Sequence, residues 1–298
     1  MKSVLLIGGL GYIGRHIALQ LQSRGIHIVI VDNLRSETAK SSYVTTSNNI
    51  IIDDVRRYTS WLPRVENIEF QSIIHLAQLK SVRESVENPD LYARYNSETT
   101  NAVLTIASIL NIPNILFSSS ATVYKPADHP FVETDPLGPT NPYGQSKLKS
   151  EMMLLDSGRN VQILRYFNPV FAVSSEYEEI QTKPENLIPA LHESVKTGTT
   201  FKIFGGDYPT KDGTAVRDYI HVAQLAEYHY HALMNLSGTT EIVNVGSSHG
   251  QTVLEMILAY ELRYLHKIKY EIVDRRPGDQ AIVIANIDKA KRLLWANT

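Results

Sequence analysis

The sequence contains no cysteine. Disulfides, thiolate metal sites and a cysteine nucleophile are excluded together. Charge of one sign is also missing: 29 lysines and arginines against 31 aspartates and glutamates give a formal net charge of −2. That balance offers no electrostatic reason to expect a nucleic acid or an acidic membrane surface as partner. Long apolar runs are absent too. The first run, over residues 4–7, is too short to span a bilayer and no small-residue cleavage site follows it, so a cytoplasmic protein without a membrane anchor is expected. No internal repeat or low-complexity tract interrupts the 298 residues, which suffice for one large or two modest domains.

What is present begins at the N-terminus. Residues 4–7 read as a short strand of the kind buried in a parallel sheet, and residues 12–24 as an amphipathic helix. Gly8, Gly11 and Gly14 lie between and at the start of that helix. In such a turn one glycine adopts dihedrals closed to other residues, a second leaves the helix N-terminus open to a pyrophosphate, and a third lets helix and strand pack closely. Glycine spacing alone also fits an ordinary turn. The context favours a dinucleotide, because a second strand over residues 27–31 ends in Asp32, where a carboxylate accepts hydrogen bonds from ribose hydroxyls. The same charge repels a 2′-phosphate, which favours NAD over NADP.

Strand and helix continue to alternate, with strands expected at residues 49–54, 71–77, 114–118 and 161–166. A long helix over about residues 90–110 joins two of these and is closed by Pro113. The rhythm predicts an α/β, Rossmann-type doubly wound parallel sheet whose ligands sit beyond the strand C-termini. Asp32, Asp54, Ala77, Ser118 to Ser120 and Tyr166 to Asn168 all fall there.

Past Phe171 the pattern changes. Residues 174–185 are polar with an acidic run, and read either as a surface loop or as a substrate lid. Helices are expected over residues 187–196, 222–235, 253–265 and 287–295, and strands over 201–204, 242–245 and 268–273. The implied organisation is a dinucleotide-binding domain over residues 1–170, with 213–245 returning to it. A smaller C-terminal α/β substrate domain comprises 171–212 and 246–298.

The chemistry is concentrated in two stretches. Ser118-Ser119-Ser120 ends the fifth strand, and Tyr143 and Lys147 stand four apart, on one face of a helix. A phenol with a reference pKa near ~10 is a weak base at neutral pH. A neighbouring ammonium, helped by an oxidised nicotinamide, stabilises the phenolate, so the tyrosine can take a proton from a substrate hydroxyl while hydride leaves the same carbon. Ser120 can orient that hydroxyl. His75, at a strand end, reads as a packed histidine rather than a base.

These segments, with residues 54–56, 75–80, 164–170, 203–210 and above all 212–222, resemble the extended short-chain dehydrogenase/reductase (NAD-dependent epimerase/dehydratase) family over nearly the whole chain. The resemblance implies transient oxidation at sugar C4 of UDP-glucose or UDP-galactose with bound NAD, rotation of the 4-keto sugar, and hydride return. It implies Tyr143 as base, Lys147 lowering its pKa and holding the nicotinamide ribose, and Ser120 assisting at O4. Gly8, Gly11, Tyr12, Ile13, Gly14, Asp32, Asn33, Asp54, Val55, Leu76, Ala77, Lys80, Asn96, Ser118 and Phe167 join Tyr143 and Lys147 around NAD. Asn168, Asn186, Leu187, Arg217 and Arg276 hold the UDP-sugar; spacing alone marks the two arginines only as surface charges. A homodimer through the helices near residues 90–110 and 141–156 is implied as well.

The chain departs from the family pattern at Arg57, Arg83, Tyr95, Lys125 and Phe171-Ala172-Val173, and a further helical segment beyond Thr298 is expected by resemblance. Two alternatives stay open. A nucleotide-sugar 4,6-dehydratase or decarboxylase needs an acid beside the serine run, where this chain has Ala121 and Thr122. A non-catalytic NAD-binding homologue fits the altered loop but not the retained Ser120, Tyr143 and Lys147. Val283, four after Asp279, stands where a bulky residue restricts the C2 side of the sugar, so room for an N-acetyl group is expected.

Overall fold

The computed structural model describes residues 3–40, 49–236, 238–276 and 279–294. Strand β1 (Ser3–Ile7), helix α1 (Tyr12–Ser23) and strand β2 (Ile28–Asp32) form the opening βαβ unit, with both strands parallel and buried throughout. A short α2 (Glu37–Lys40), β3 (Ile50–Ile52), α3 (Tyr58–Trp61) and β4 (Phe70–His75) follow. Next come α4 (Val82–Glu87) and the long α5 (Pro89–Ile109). Pro89 starts α5 without cost, since the first helical N–H has no intrahelical acceptor. The first half closes with β5 (Asn114–Ser120), α6 (Pro142–Leu155) and β6 (Asn160–Tyr166).

The second half contains β7 (Asn168–Val170), α7 (Leu187–Thr197), β8 (Phe201–Phe204), β9 (Val216–His221), α8 (Val222–Met234) and β10 (Glu241–Val245). It ends with β11 (Gly250–Thr252), α9 (Val253–Tyr264), β12 (Tyr270–Val273), β13 (Ile282–Val283) and α10 (Asp288–Leu294).

Seven parallel strands in the order β10-β6-β5-β4-β1-β2-β3 make the large sheet, the doubly wound arrangement expected. One apolar core lies between this sheet and α1, α8 and α10, with Ile17, Leu21, Leu225, Tyr228 and Leu294 fully or nearly buried. A second core, with Trp61, Val103, Ile106 and Leu154, fills the opposite face. The smaller domain has its own core around Leu191, Ile203, Met256 and Tyr260. It carries a sheet of β11, β9 and β13, with β7 paired to β9, and a two-stranded β12–β8 sheet.

Two placements differ from expectation. Only α8 and β10 of the returning stretch join the large domain, because β9 pairs with β7, β11 and β13 in the small sheet. Helix α10 buries Ala290 and Leu294 in the first core, not in the smaller domain; Trp295, its expected end, lies outside the described residues. Strands β11 and β13, three and two residues long, are too short to carry a readable alternation.

Candidate active site

The glycine turn performs three tasks with three residues. Gly8 sits at φ +83°, and a Cβ there would come within 2.9 Å of the Ala77 backbone nitrogen. At Gly14 a Cβ would reach 2.4 Å from the Gly8 carbonyl oxygen, so helix and strand are as close as backbone allows. Gly11 caps α1 without a side-chain hydrogen bond, and a Cβ there would meet nothing closer than 3.6 Å. Removing that side chain leaves the first turn of the helix open to an anion. Asp32 ends β2 with its carboxylate nearly buried, one oxygen accepting from Leu10 N at 3.0 Å and the other from Leu34 N at 2.8 Å. Burial pushes this carboxyl up, against the two backbone hydrogen bonds. Asn33 donates to Asp54 at 3.2 Å, and Val55 follows buried. Cradle, open helix end and acceptor carboxylate at β2 fit a dinucleotide without a 2′-phosphate. Asn96 is placed behind this surface: its amide donates to Leu79 O and Ser146 Oγ and accepts from Leu79 N, so it shapes the loop after β4.

The expected Tyr143–Lys147 pair depends on how α6 begins. Asn141 caps the helix by accepting from Gly144 N at 2.8 Å, and Pro142 fixes the first turn. Tyr143 and Lys147 therefore face the end of β5. Lys147 is buried, its ammonium donating to the Ser118 carbonyl at 2.7 Å and lying 5.0 Å from the centre of the Phe117 ring. It stands 5.9 Å from the centre of the Tyr143 ring. Burial pushes Lys147 down to about 7, while Glu151 one turn below pulls it up. Burial pushes the Tyr143 phenol up to about 12, and its hydrogen bond with Ser120 acts the other way. The lowering expected of Lys147 is thus not present in the protein alone, since the ammonium is turned to a backbone carbonyl and the phenol sits among apolar neighbours. His75 is wholly buried and held neutral, pushed to about 3 by burial and by Lys147, as expected of a packed residue.

Two residues beneath the pair escape a reading by spacing. Glu151 accepts from Arg165 Nε at 3.0 Å and Nη2 at 2.7 Å, and from the Ser119 hydroxyl. Both charged side chains are 1% exposed. This ion pair ties α6 to β6 directly behind Ser118 and Ser120. The available signal is Arg165 itself, a charge inside an otherwise buried strand, with Glu151 one turn beyond Lys147.

The residues expected on the substrate side lie on β7 and β9 and on segments of the smaller domain. Asn168 donates to Asp218 O at 3.1 Å, and Asp218 is a buried hub accepting from Ser247, Ser248 and Ala285 backbone N–H groups. Arg217 on β9 donates to Gln280 O at 2.8 Å. The Arg276 guanidinium lies 3.8 Å from the centre of the Phe204 ring. Leu187 begins α7, and Asn186 precedes it, donating to Glu179 at 2.9 Å. Lys80 pairs with the same Glu179. The segment over residues 171–186 is thus tied down instead of loose, and the Tyr12 hydroxyl, expected near the cofactor, is turned to the Phe171 carbonyl. Ile13, Leu76 and Ala77 line the cradle partly buried, and Phe167 is buried at the end of β6.

A seven-stranded doubly wound sheet with this cradle and a Ser-Tyr-Lys group at its C-terminal edge defines a dinucleotide-dependent enzyme class. The sequence profile of the NAD dependent epimerase/dehydratase family matches residues 4–246, and the chain belongs to that family. Among its relatives, "UDP-glucose 4-epimerase 2" of Arabidopsis thaliana is 40% identical over 98% of this chain and 89% of its own length. "UDP-glucose 4-epimerase" of Bacillus subtilis is 40% identical over 98% and 91%. The crystal structure of UDP-glucose-4-epimerase from Stenotrophomonas maltophila, with bound NAD and formylated UDP-arabinopyranose, superposes with a TM-score of 0.93 at 35% identity, covering 99% of this chain and 93% of that one.

Proposed function

We propose that the protein interconverts UDP-glucose and UDP-galactose by transient oxidation at sugar C4. The observation that carries this is Tyr143 and Lys147 on one face of α6, with the Lys147 ammonium on the Ser118 carbonyl at the end of β5, in a chain 40% identical to UDP-glucose 4-epimerases. NAD, when bound, supplies the reversible hydride acceptor. Tyr143 Oη takes the proton of the C4 hydroxyl and later returns it, while the Ser120 hydroxyl fixes where that oxygen sits. Lys147 supplies positive charge beneath the ring; a second cation at the nicotinamide adds to it, and both favour the phenolate. The 4-keto sugar must expose its other face before the proton returns. Arg217 and Arg276 hold the diphosphate meanwhile, as guanidinium forks match phosphate oxygens.

A dehydratase or decarboxylase needs an acid beside Ser120. Thr122 occupies that place, its hydroxyl donating to Ser120 Oγ at 3.0 Å. Epimerisation of UDP-galactose by the purified protein, with bound NAD quantified in the same sample, tests the reading: turnover is expected. Bound NAD without turnover would leave a non-catalytic NAD-binding homologue.

Substrate range extends this proposal. Val283 pairs with Arg217 across β13 and β9, so both side chains leave the sheet on the same face. A small side chain there leaves room at sugar C2, and UDP-N-acetylgalactosamine should turn over; Val283→Tyr should abolish that turnover while sparing UDP-galactose. A homodimer packed through α5 and α6 belongs to the same reading, supported by the exposed Ile109, Met152 and Leu155 on these helices. We place the protein in the cytoplasm with its nucleotide ligands.

A further inference from the structure

The segment over residues 171–186 contains one 3-10 turn, Ser175–Tyr177, and otherwise no regular structure, yet it is fastened along its length. At α1, the Tyr12 hydroxyl donates to Phe171 O and Arg15 donates to Glu178 O at 2.6 Å. At α2, Thr38 and the Ile180 backbone exchange two hydrogen bonds, at 3.1 and 2.9 Å. At the loop after β4, Lys80 pairs with Glu179, while Ser81 donates to Glu185 at 2.6 Å. The smaller domain holds the far side, with Arg263 donating to Ala172 O at 2.6 Å. The turn after β1, the end of β2 and the end of β4 frame the dinucleotide site, so the segment is anchored on all three of its sides.

Glu179 is the centre of this strap. Its side chain is 5% exposed, whereas that of Lys80 is 53% exposed. A carboxylate so deeply placed is costly unless its oxygens are met. Lys80, Gln181 at 3.0 Å and Asn186 at 2.9 Å meet them. An ammonium has three donors, so Lys80 can hold Glu179 and still offer N–H groups to a phosphate beneath.

We propose that Glu179 is a positioning residue for the cofactor, latching the strap through Lys80 across the dinucleotide site so that NAD leaves only when this pair parts. The inference rests on the NAD dependence of the chain and not on its choice of sugar. It explains how a family-pattern departure at Phe171-Ala172-Val173 is accommodated: the carbonyls of Phe171 and Ala172 accept from Tyr12 and Arg263, and the Phe171 ring lies 5.1 Å from the Arg263 guanidinium.

The test is the rate at which bound NAD leaves the holoenzyme, read by exchange against a fluorescent NAD analogue. Glu179→Gln keeps size and hydrogen bonding but removes the charge. Thr38→Val cuts a separate tether, the one to Ile180 at α2, and stands in if the first variant does not fold. Release should be about tenfold faster or more in Glu179→Gln, the size expected when a charged hydrogen bond is weakened. Thr38→Val should change it in the same direction. Both folded variants releasing NAD at the wild-type rate would overturn the latch. A wild-type protein that neither carries nor takes up NAD would overturn the cofactor reading itself, and the latch with it.

Discussion

At the end of β5, Ser119 rests on the Glu151–Arg165 pair, side chains that solvent does not reach, whereas the strap over the glycine turn adds to its buried tethers at Tyr12, Arg15 and Thr38 two ion pairs whose cations solvent touches. Lys80 and Arg83 are each more than half exposed while they pair with Glu179 and Glu185. A buried, fully hydrogen-bonded ion pair is insensitive to salt and fixes geometry, while half-exposed pairs are screened and contribute little to stability. The Ser120, Tyr143 and Lys147 group is therefore mounted beside a buried ion pair, whereas the proposed latch is an ion pair open to solvent on its Lys80 side.

The sharpest way to break this contrast is at the reacting atom. Tyr143→Phe should retain NAD and lose activity by roughly 10²- to 10⁴-fold, the usual share of a positioned acid–base group. Unchanged turnover would remove Tyr143 from its role. Next in size is the mount. Glu151→Gln leaves Arg165 charged and half-satisfied in the interior, and unfolding stability in urea should fall by about 3–5 kcal/mol. Arg83→Gln on α4, which removes the partner of Glu185 in the strap, should change it by about 1 kcal/mol or less. Equal effects would erase the distinction between the two regions.

A pH dependence is expected as well. Burial pushes His75 down to about 3 and His16 and His229 to about 4, each below the unfolded value of about 6.5. A depressed folded value means the unfolded chain binds protons first. Stability is therefore complete above pH ~6.5 and declines as pH falls toward ~4, by up to about 1.4 kcal/mol per unit for each histidine. His16 lies under the strap, 5.6 Å from the Tyr177 ring, and His75 under the catalytic strand. Denaturation midpoints measured from pH 7 to 4 in His75→Asn should show a flatter decline than wild type.

Much of the large domain was legible because its signals are local. The glycine turn, Asp32 and the Tyr143–Lys147 spacing each act within a few residues, and the seven strands announce themselves by short apolar runs. The strap was not legible, because its partners lie far back in the chain: Tyr12 and Arg15 meet residues 159 and 163 positions away. A polar stretch without period shows no destination. The Lys147 ammonium taught a different lesson, since spacing placed it correctly beside Tyr143 but could not reveal that it would donate to Ser118 O. Helix α4 was missed for its length of six residues, and β9 because charged Arg217 and Asp218 interrupt its apolar pattern.

Strand β10 closes one edge of the large sheet, yet the chain reaches it only after passing through β7, α7, β8 and β9 of the smaller domain. During synthesis the large sheet must wait with β6 as a bare edge until that excursion is finished, and a bare edge pairs readily with strangers. The two domains are consequently a single folding unit, and a fragment cut near residue 170 should emerge as an aggregating sheet rather than a free-standing dinucleotide-binding module.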